Sequence, residues 1–209
     1  MKKALLASAV AFACMFSAMP QANAASSTGS NGGYYWGLYY TGGSASVSFP
    51  SSGSISCSWG SGITDCGFGK GWKPSSVRTV SYKINSANNV HSVGLYGWTQ
   101  SPTIEYYIDD IGSPSLTSSG TVFSDGYNYN CYKYQRVNAP SPFGTQTFWQ
   151  YKDGRKYTQA SAGQSLTITM ANHVNHWKSA GGQGWGTVYD TLVEEEAFSG
   201  PGNGQVTIQ

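Results

Sequence analysis

Apolar and polar residues alternate along most of the chain in short runs separated by Gly, Ser, Asn and Pro. The runs "YYWGLYYT" (34–41), "SASVSF" (44–49), "SISCSW" (54–59), "TVSYKI" (79–84) and "SVGLYGWT" (92–99) read as strands. So do "TIEYYID" (103–109), "YNCYKYQRV" (129–137), "TQTFWQY" (145–151), "SLTITM" (165–170) and "GQVTI" (204–208). Tyr, Trp, Thr, Val and Ile fill them, and a period of two puts every second side chain on a buried face. With no repeat period and no internal linker, the pattern predicts one all-β domain, a sandwich or a barrel. One stretch breaks the alternation. "TMANHVNHWKSAGG" sets Ala171, Val174 and Trp177 at helical spacing, with Gly181 and Gly182 as a stop, and predicts one short helix packed outside a sheet.

The N-terminus follows a different pattern. Lys2 and Lys3 precede an apolar stretch from Ala4 to Met19 and a small-x-small site at Ala22-Asn23-Ala24. These features predict a secretory signal peptide over 1–24, too short in its apolar part to span a bilayer. A Ser/Gly linker, Ala25 to Asn31, would follow, then a single catalytic domain over 32–209. The expected location is extracellular, with no membrane attachment once the signal is removed.

Charge changes the picture little. The chain has 12 Lys and Arg against 10 Asp and Glu, and removing Lys2 and Lys3 leaves 12 − 2 = 10 of each sign. A formally neutral chain without a basic cluster excludes nucleic acid as the expected partner and suits a neutral polymer. Cysteine adds one expectation. A hairpin turn at Gly60-Ser61-Gly62, pairing Trp59 with Thr64, would put Cys57 opposite Cys66 within disulfide reach, leaving Cys131 as a buried thiol.

Candidate chemistry narrows by exclusion. No G-x-S-x-G accompanies the histidines, no Gly-rich loop opens a helix, and His91 stands alone. His173 and His176 lack the spacing of a metal motif and read as surface or capping residues. Carboxylates among aromatics remain. The glutamates are Glu105, Glu194, Glu195 and Glu196, three of them consecutive in "YDTLVEEEAFSG" (189–200). In isolation that triplet reads as a solvated charge run. Around Glu105, alternation sends Ile104, Tyr106 and Ile108 to one face and Glu105, Tyr107 and Asp109 to the other. Tyr96 and Trp98 lie across the Ser101-Pro102 turn. Such a face, if open, suits the C–H faces of sugar rings, although an inert aromatic sheet would look the same.

At this point the runs "GFGKGW" (67–72), "YGWTQSPTIEYYI" (96–108), "SDG" (124–126), "YQRVNAPSPFGTQTFWQY" (134–151), "ANHVNHW" (171–177) and "VEEEAFSGPG" (193–202) together resemble glycoside hydrolase family 11, the small endo-β-1,4-xylanases. The resemblance runs in order from about Gly32 to Gln209. It implies a jelly-roll sandwich of two strongly twisted antiparallel sheets, one helix behind them and a xylan cleft across the concave sheet. It makes Glu105 the nucleophile. Tyr39, Tyr96, Trp98, Tyr107, Arg136 and Gln150 become substrate-binding residues, and the thumb loop "NAPSPFG" covers the substrate with Pro140 and Ser141. The second glutamate is Glu196 when the ending is read back without a gap through Ala197-Phe198-Ser199. Placing it at Glu195 needs an insertion. Asp65, four before Gly69, matches a residue hydrogen-bonded to that acid/base glutamate, and a carboxyl there is expected to shift activity acidward.

Several positions depart from the family's pattern. Glu194 and Glu195 stand where apolar or small residues are usual, which suggests a more exposed strand. Tyr39 stands where a sugar-stacking Trp is frequent, and Gln100 where Arg is. "QYKDGRKY" (150–157) replaces a "QYWSVR"-like run. The implied chemistry is retaining hydrolysis: one carboxylate attacks the anomeric carbon, a protonated carboxyl serves the leaving oxygen, and the two lie about 5–5.5 Å apart. It requires no metal and no cofactor, and a monomer suffices. Two rivals fit parts of the pattern: a non-catalytic carbohydrate-binding module, which needs no facing glutamates, and a β-glucanase on a related sandwich.

Overall fold

The computed structural model describes residues 24–112, 118–155, 162–179 and 184–209. The signal segment before Ala24 and the Gly181-Gly182 helix stop lie outside the described residues. In chain order the strands are β1 (Ala24–Asn31), β2 (Tyr34–Thr41), β3 (Ala45–Ser48), β4 (Ser54–Trp59), β5 (Asp65–Trp72), β6 (Thr79–Asn88) and β7 (Ser92–Gln100). They continue with β8 (Ile104–Ile111), β9 (Gly120–Ser124), β10 (Tyr127–Ala139), β11 (Gln146–Arg155), β12 (Ser165–Thr169), β13 (Thr187–Ala197) and β14 (Gly202–Ile208). Helix α1 (Met170–Ser179) falls between β12 and β13. Each run read as a strand from the alternation is one here.

A nine-stranded sheet runs β1-β2-β5-β13-β7-β8-β11-β10-β9, and a five-stranded sheet runs β12-β6-β14-β4-β3. Neighbours pair antiparallel except β8 with β11, which are parallel. The architecture is an all-β jelly-roll sandwich. Between the sheets lies one apolar core that includes Ile55, Trp59, Phe68, Val80, Tyr82, Ile84, Leu95, Ile108, Val193 and Val206. Each fully buried side chain of this size contributes about 1.5–3 kcal/mol, so the core between the layers holds them together. A second, smaller cluster (Tyr39, Tyr96, Trp98, Tyr107, Ala139, Phe148 and Leu192) sits on the other face of the larger sheet. Strand alternation creates that division: Ile104, Tyr106 and Ile108 of β8 join the interlayer core, and Tyr107 joins the second cluster.

Four expectations are corrected. Ala25 to Asn31 is not a linker but an edge strand, paired residue for residue with β2 around a turn where Gly32 and Gly33 take φ of 59° and 83°. Cys57 and Cys66 do not face each other in a hairpin. β4 pairs with β3 and β14, and β5 with β2 and β13, so the chain changes sheets between them. Both are free, buried thiols; contact with Cys57, then burial, pushes the Cys66 thiol far up. Cys131 is a buried free thiol, as expected.

The helix differs in one respect. His173 is buried with Met170, Val174 and Trp177 rather than exposed. Its Nδ1 lies 2.7 Å from Asp153 Oδ2, and the Trp177 indole donates to Asp153 Oδ1 at 2.9 Å. A carboxylate buried under the helix needs such partners, and the helix supplies them. Finally, the glutamate triplet is not exposed: Glu194, Glu195 and Glu196 are 4%, 0% and 1% exposed. β13 lies between β5 and β7 in mid-sheet, with packed groups on both faces.

Candidate active site

The β7–β8 hairpin sets Trp98 opposite Glu105 and Tyr96 opposite Tyr107, so four side chains converge on the concave face. β11 runs parallel to β8 and brings Gln150 beside Glu105 and Lys152 beside Tyr107. Glu105 is held on both oxygens. The Tyr96 and Tyr107 hydroxyls donate to its Oε1 at 3.3 and 3.1 Å, and the Gln150 amide donates to Oε2. The Trp98 indole donates to the Tyr96 hydroxyl and fixes it in turn. Burial pushes the Glu105 carboxyl up to about 7, while Arg136, Gln150 and Tyr107 favour its charged form and the Glu196 charge opposes it.

Glu196 reaches the same face from β13, opposite Gly67 of β5 and Ser92 of β7. Its environment supports a charge less well. The Ser92 hydroxyl donates to Oε2 at 3.4 Å, and Oε1 has no hydrogen-bond partner among the described residues. Burial raises its pKa, against Lys152 and Ser92. Asp65 is 3% exposed, and burial, then the charges of Glu196 and Glu105, push its carboxyl well up. Neither Asp65 oxygen makes a hydrogen bond among the described residues, so charge, not a bond, couples Asp65 to Glu196.

The triplet divides as strand alternation requires. Glu194 shares the concave face, where burial and the charges of Glu196 and Asp109 raise its pKa, against Lys152. Glu195 points into the sandwich against Phe68 and Gly204, where a Cβ on residue 204 would lie 1.5 Å from its Oε2.

Other expected residues gather around this centre. Tyr39, Tyr96, Trp98, Tyr107 and Gln150 are each at most 1% exposed. The rings pack on one another instead of forming an open platform: Tyr96 against Tyr107 at 4.8 Å and Trp98 against Phe148 at 5.0 Å. The thumb loop follows a register shift between Arg136 and Ala139, where Asn138 takes φ of 48°. Ser141 is buried and Pro140 half-buried. The Ser141 hydroxyl donates to Gly144 O at 2.7 Å and accepts from Gln146 Nε2 at 2.6 Å, which closes the loop on itself. Its Phe143 ring meets Tyr189 of β13 at 4.9 Å, so the loop touches the far side of the concave face.

Sequence reasoning passed over Lys152, Phe148, Leu192 and Asp190 as members of this face. A period-two count from Gln150 would have found Phe148 and Lys152. Asp190 accepts from the Trp98 backbone N–H at 2.9 Å, and no local pattern signals that contact.

Residues 31–207 match the profile of Glycosyl hydrolases family 11. The "Bifunctional xylanase/xylan deacetylase" of Cellvibrio japonicus is 40% identical over 90% of this chain, which spans 30% of that protein. The "Ethylene-inducing xylanase 1" of Botryotinia fuckeliana is 39% identical, with 92% of this chain and 69% of the relative covered. The "Endo-1,4-beta-xylanase 2" of Rhizopus oryzae is 36% identical over 98% of this chain and 95% of its own length. The chain thus covers under a third of one relative and nearly all of another. With the profile match running over residues 31–207, from the end of β1 to β14, the chain belongs to glycosyl hydrolases family 11.

Proposed function

We propose that the chain is a secreted, monomeric endo-hydrolase of β-1,4-xylosidic bonds in xylan, working with retention through two glutamates. One observation carries the assignment of roles: the two carboxyls share one face but differ in support for their charged forms. Glu105 has three hydrogen-bond donors and the Arg136 charge, whereas Glu196 has, among the described residues, one long bond from Ser92 and an oxygen without a partner. Glu105 is therefore the nucleophile. It attacks the anomeric carbon while Glu196 gives its proton to the leaving oxygen, then takes one from the water that releases the sugar. The Tyr96 and Tyr107 hydroxyls hold Glu105, the Trp98 indole fixes Tyr96, Tyr39 packs in the same cluster, and the Pro140-Ser141 tip covers the bound chain. The names of the relatives support xylan as the polymer.

The test is direct. Glu105→Gln and Glu196→Gln each lose several orders of magnitude in turnover on xylan and stay folded, while Glu195→Gln stays within about tenfold of wild type, or about 1.4 kcal/mol. NMR before mutarotation shows the β-anomer as first product. An initial α-anomer rules out Glu105 as nucleophile, and release of reducing ends from cellulose or mixed-linkage glucan instead of xylan overturns the substrate.

A further inference from the structure

Two departures from the family's pattern, Glu194 in the triplet and Lys152 in "QYKDGRKY", meet on the concave face. Lys152 Nζ lies 3.2 Å from Asp109 Oδ2, with both side chains under a tenth exposed. The same ammonium sits 4.4 Å above the Tyr107 ring, whose hydroxyl binds Glu105. Gly94 of β7 is paired with both Asp109 and Glu194, so no side chain stands between the two carboxyls. Neither oxygen of Glu194 has a hydrogen-bond partner among the described residues. Lys152 is thus a cation set among carboxyls, and its charge acts on the acid that must give up a proton.

We propose that Lys152, pinned by Asp109, is a positioning residue of the hydrolytic site: a fixed positive charge that offsets Asp109 and Glu194 so that Glu196 can release its proton as well as hold it. The proposal rests on the reading of Glu196 as the acid/base. The groups facing Glu196 are Asp65 from β5, Ser92 from β7, and Glu105, Tyr107 and Asp109 from β8, while His91 before β7 binds the Glu196 backbone carbonyl through its own N–H and packs its ring on Phe198. Lys152 comes from β11 and Glu194 from β13 itself; Arg136 and Tyr134 of β10 act on the Glu105 side. Four of these are carboxyls. Without a cation their field would hold the proton too tightly for a general acid, whose efficiency peaks when proton affinity matches the working pH. Lys152 favours the charged form of Glu196, Glu194 and Asp109 alike.

The two members of the ion pair give opposite tests. Lys152→Met removes the cation, and the alkaline limb of kcat against pH moves up by about one unit or more. Asp109→Asn leaves the cation uncompensated, and the same limb moves down. Lys152→Arg keeps the wild-type profile. A purely structural role predicts lower stability for both disruptive variants with the limb unmoved. If Glu196→Gln is inactive and neither variant moves the limb, or both move it the same way, the proposal is overturned. If Lys152→Met does not fold, the direction of the Asp109→Asn shift decides. Should Glu196→Gln keep wild-type turnover, the underlying reading of Glu196 fails instead, a distinct result.

Discussion

At the scale of single residues, the site turns on which carboxyl owns a proton. Asp65 and Glu196 titrate as a pair, so a proton on the pair can sit on Asp65, where it is useless to the leaving oxygen. Full competence then needs a second proton, which is held only on the acid side. Asp65→Asn leaves Glu196 as sole owner, and the pH optimum is expected to rise by about one unit, checked by kcat/KM profiles. Glu195 poses a different problem. It is fully buried, and burial and the nearby Cys57 push its carboxyl well up, with the Gln205 amide opposing. A raised folded pKa contributes stability that is complete below the unfolded value, near 4.3, and is lost as pH climbs toward the folded one. Glu195→Gln is therefore expected to match wild type below about pH 4 and to gain on it above, by up to about 1.4 kcal/mol per pH unit, in denaturant midpoints. Glu105 was legible because its neighbours in the chain are its neighbours in space. The pairing of Lys152 with Asp109 was not, because the two stand on different strands and no local spacing links them.

At the scale of elements, alternation was read correctly wherever a strand keeps one face on the interlayer core. It divided β8 without error and placed Glu194 and Glu196 opposite Glu195. It failed where strand context decides. The strand bearing the triplet was expected to be exposed because charge usually marks solvent, but its place in mid-sheet buries it. The Cys57–Cys66 hairpin failed because a Gly-Ser-Gly turn reverses a chain equally well within a sheet or between two. β13 and β14 meet across the sandwich where Glu195 occupies the space left by Gly204. Gly204→Ala must displace the Glu195 carboxyl, and overpacking of this kind is expected to cost about 1–3 kcal/mol. Adding Glu195→Ala should recover most of the loss, as a double-mutant cycle of melting temperatures would show.

At the scale of the whole molecule, nine of its ten carboxylates are buried, Asp125 alone being half-exposed. Eight of the nine are pushed up, chiefly by burial, with Glu105, Asp109 and Asp190 reaching about 7. Each contributes stability below its unfolded pKa that is lost as pH rises through the folded one, and only Asp125, held low by Ser124 and Thr169, pulls the other way. Melting temperature is therefore expected to peak at acidic pH and to fall between about pH 4 and pH 7, the reverse of ordinary acid denaturation. A maximum near pH 8 would contradict the burial pattern. Composition alone does not reveal this, because a count of charges says nothing of where they lie.

The place of β13 also bears on how the protein comes into being. It is synthesised after every other strand of the larger sheet, yet it sits between β5 and β7 in the middle of that sheet. Until it emerges from the ribosome, the sheet exists at most as two separate pieces, β1-β2-β5 and β7-β8-β11-β10-β9, each with an open edge where β13 belongs. The nascent chain thus cannot lock early, and the strand that closes the sheet is the one that carries Glu196. Completion of the fold and arrival of the second glutamate are one event, so a prematurely terminated chain has neither.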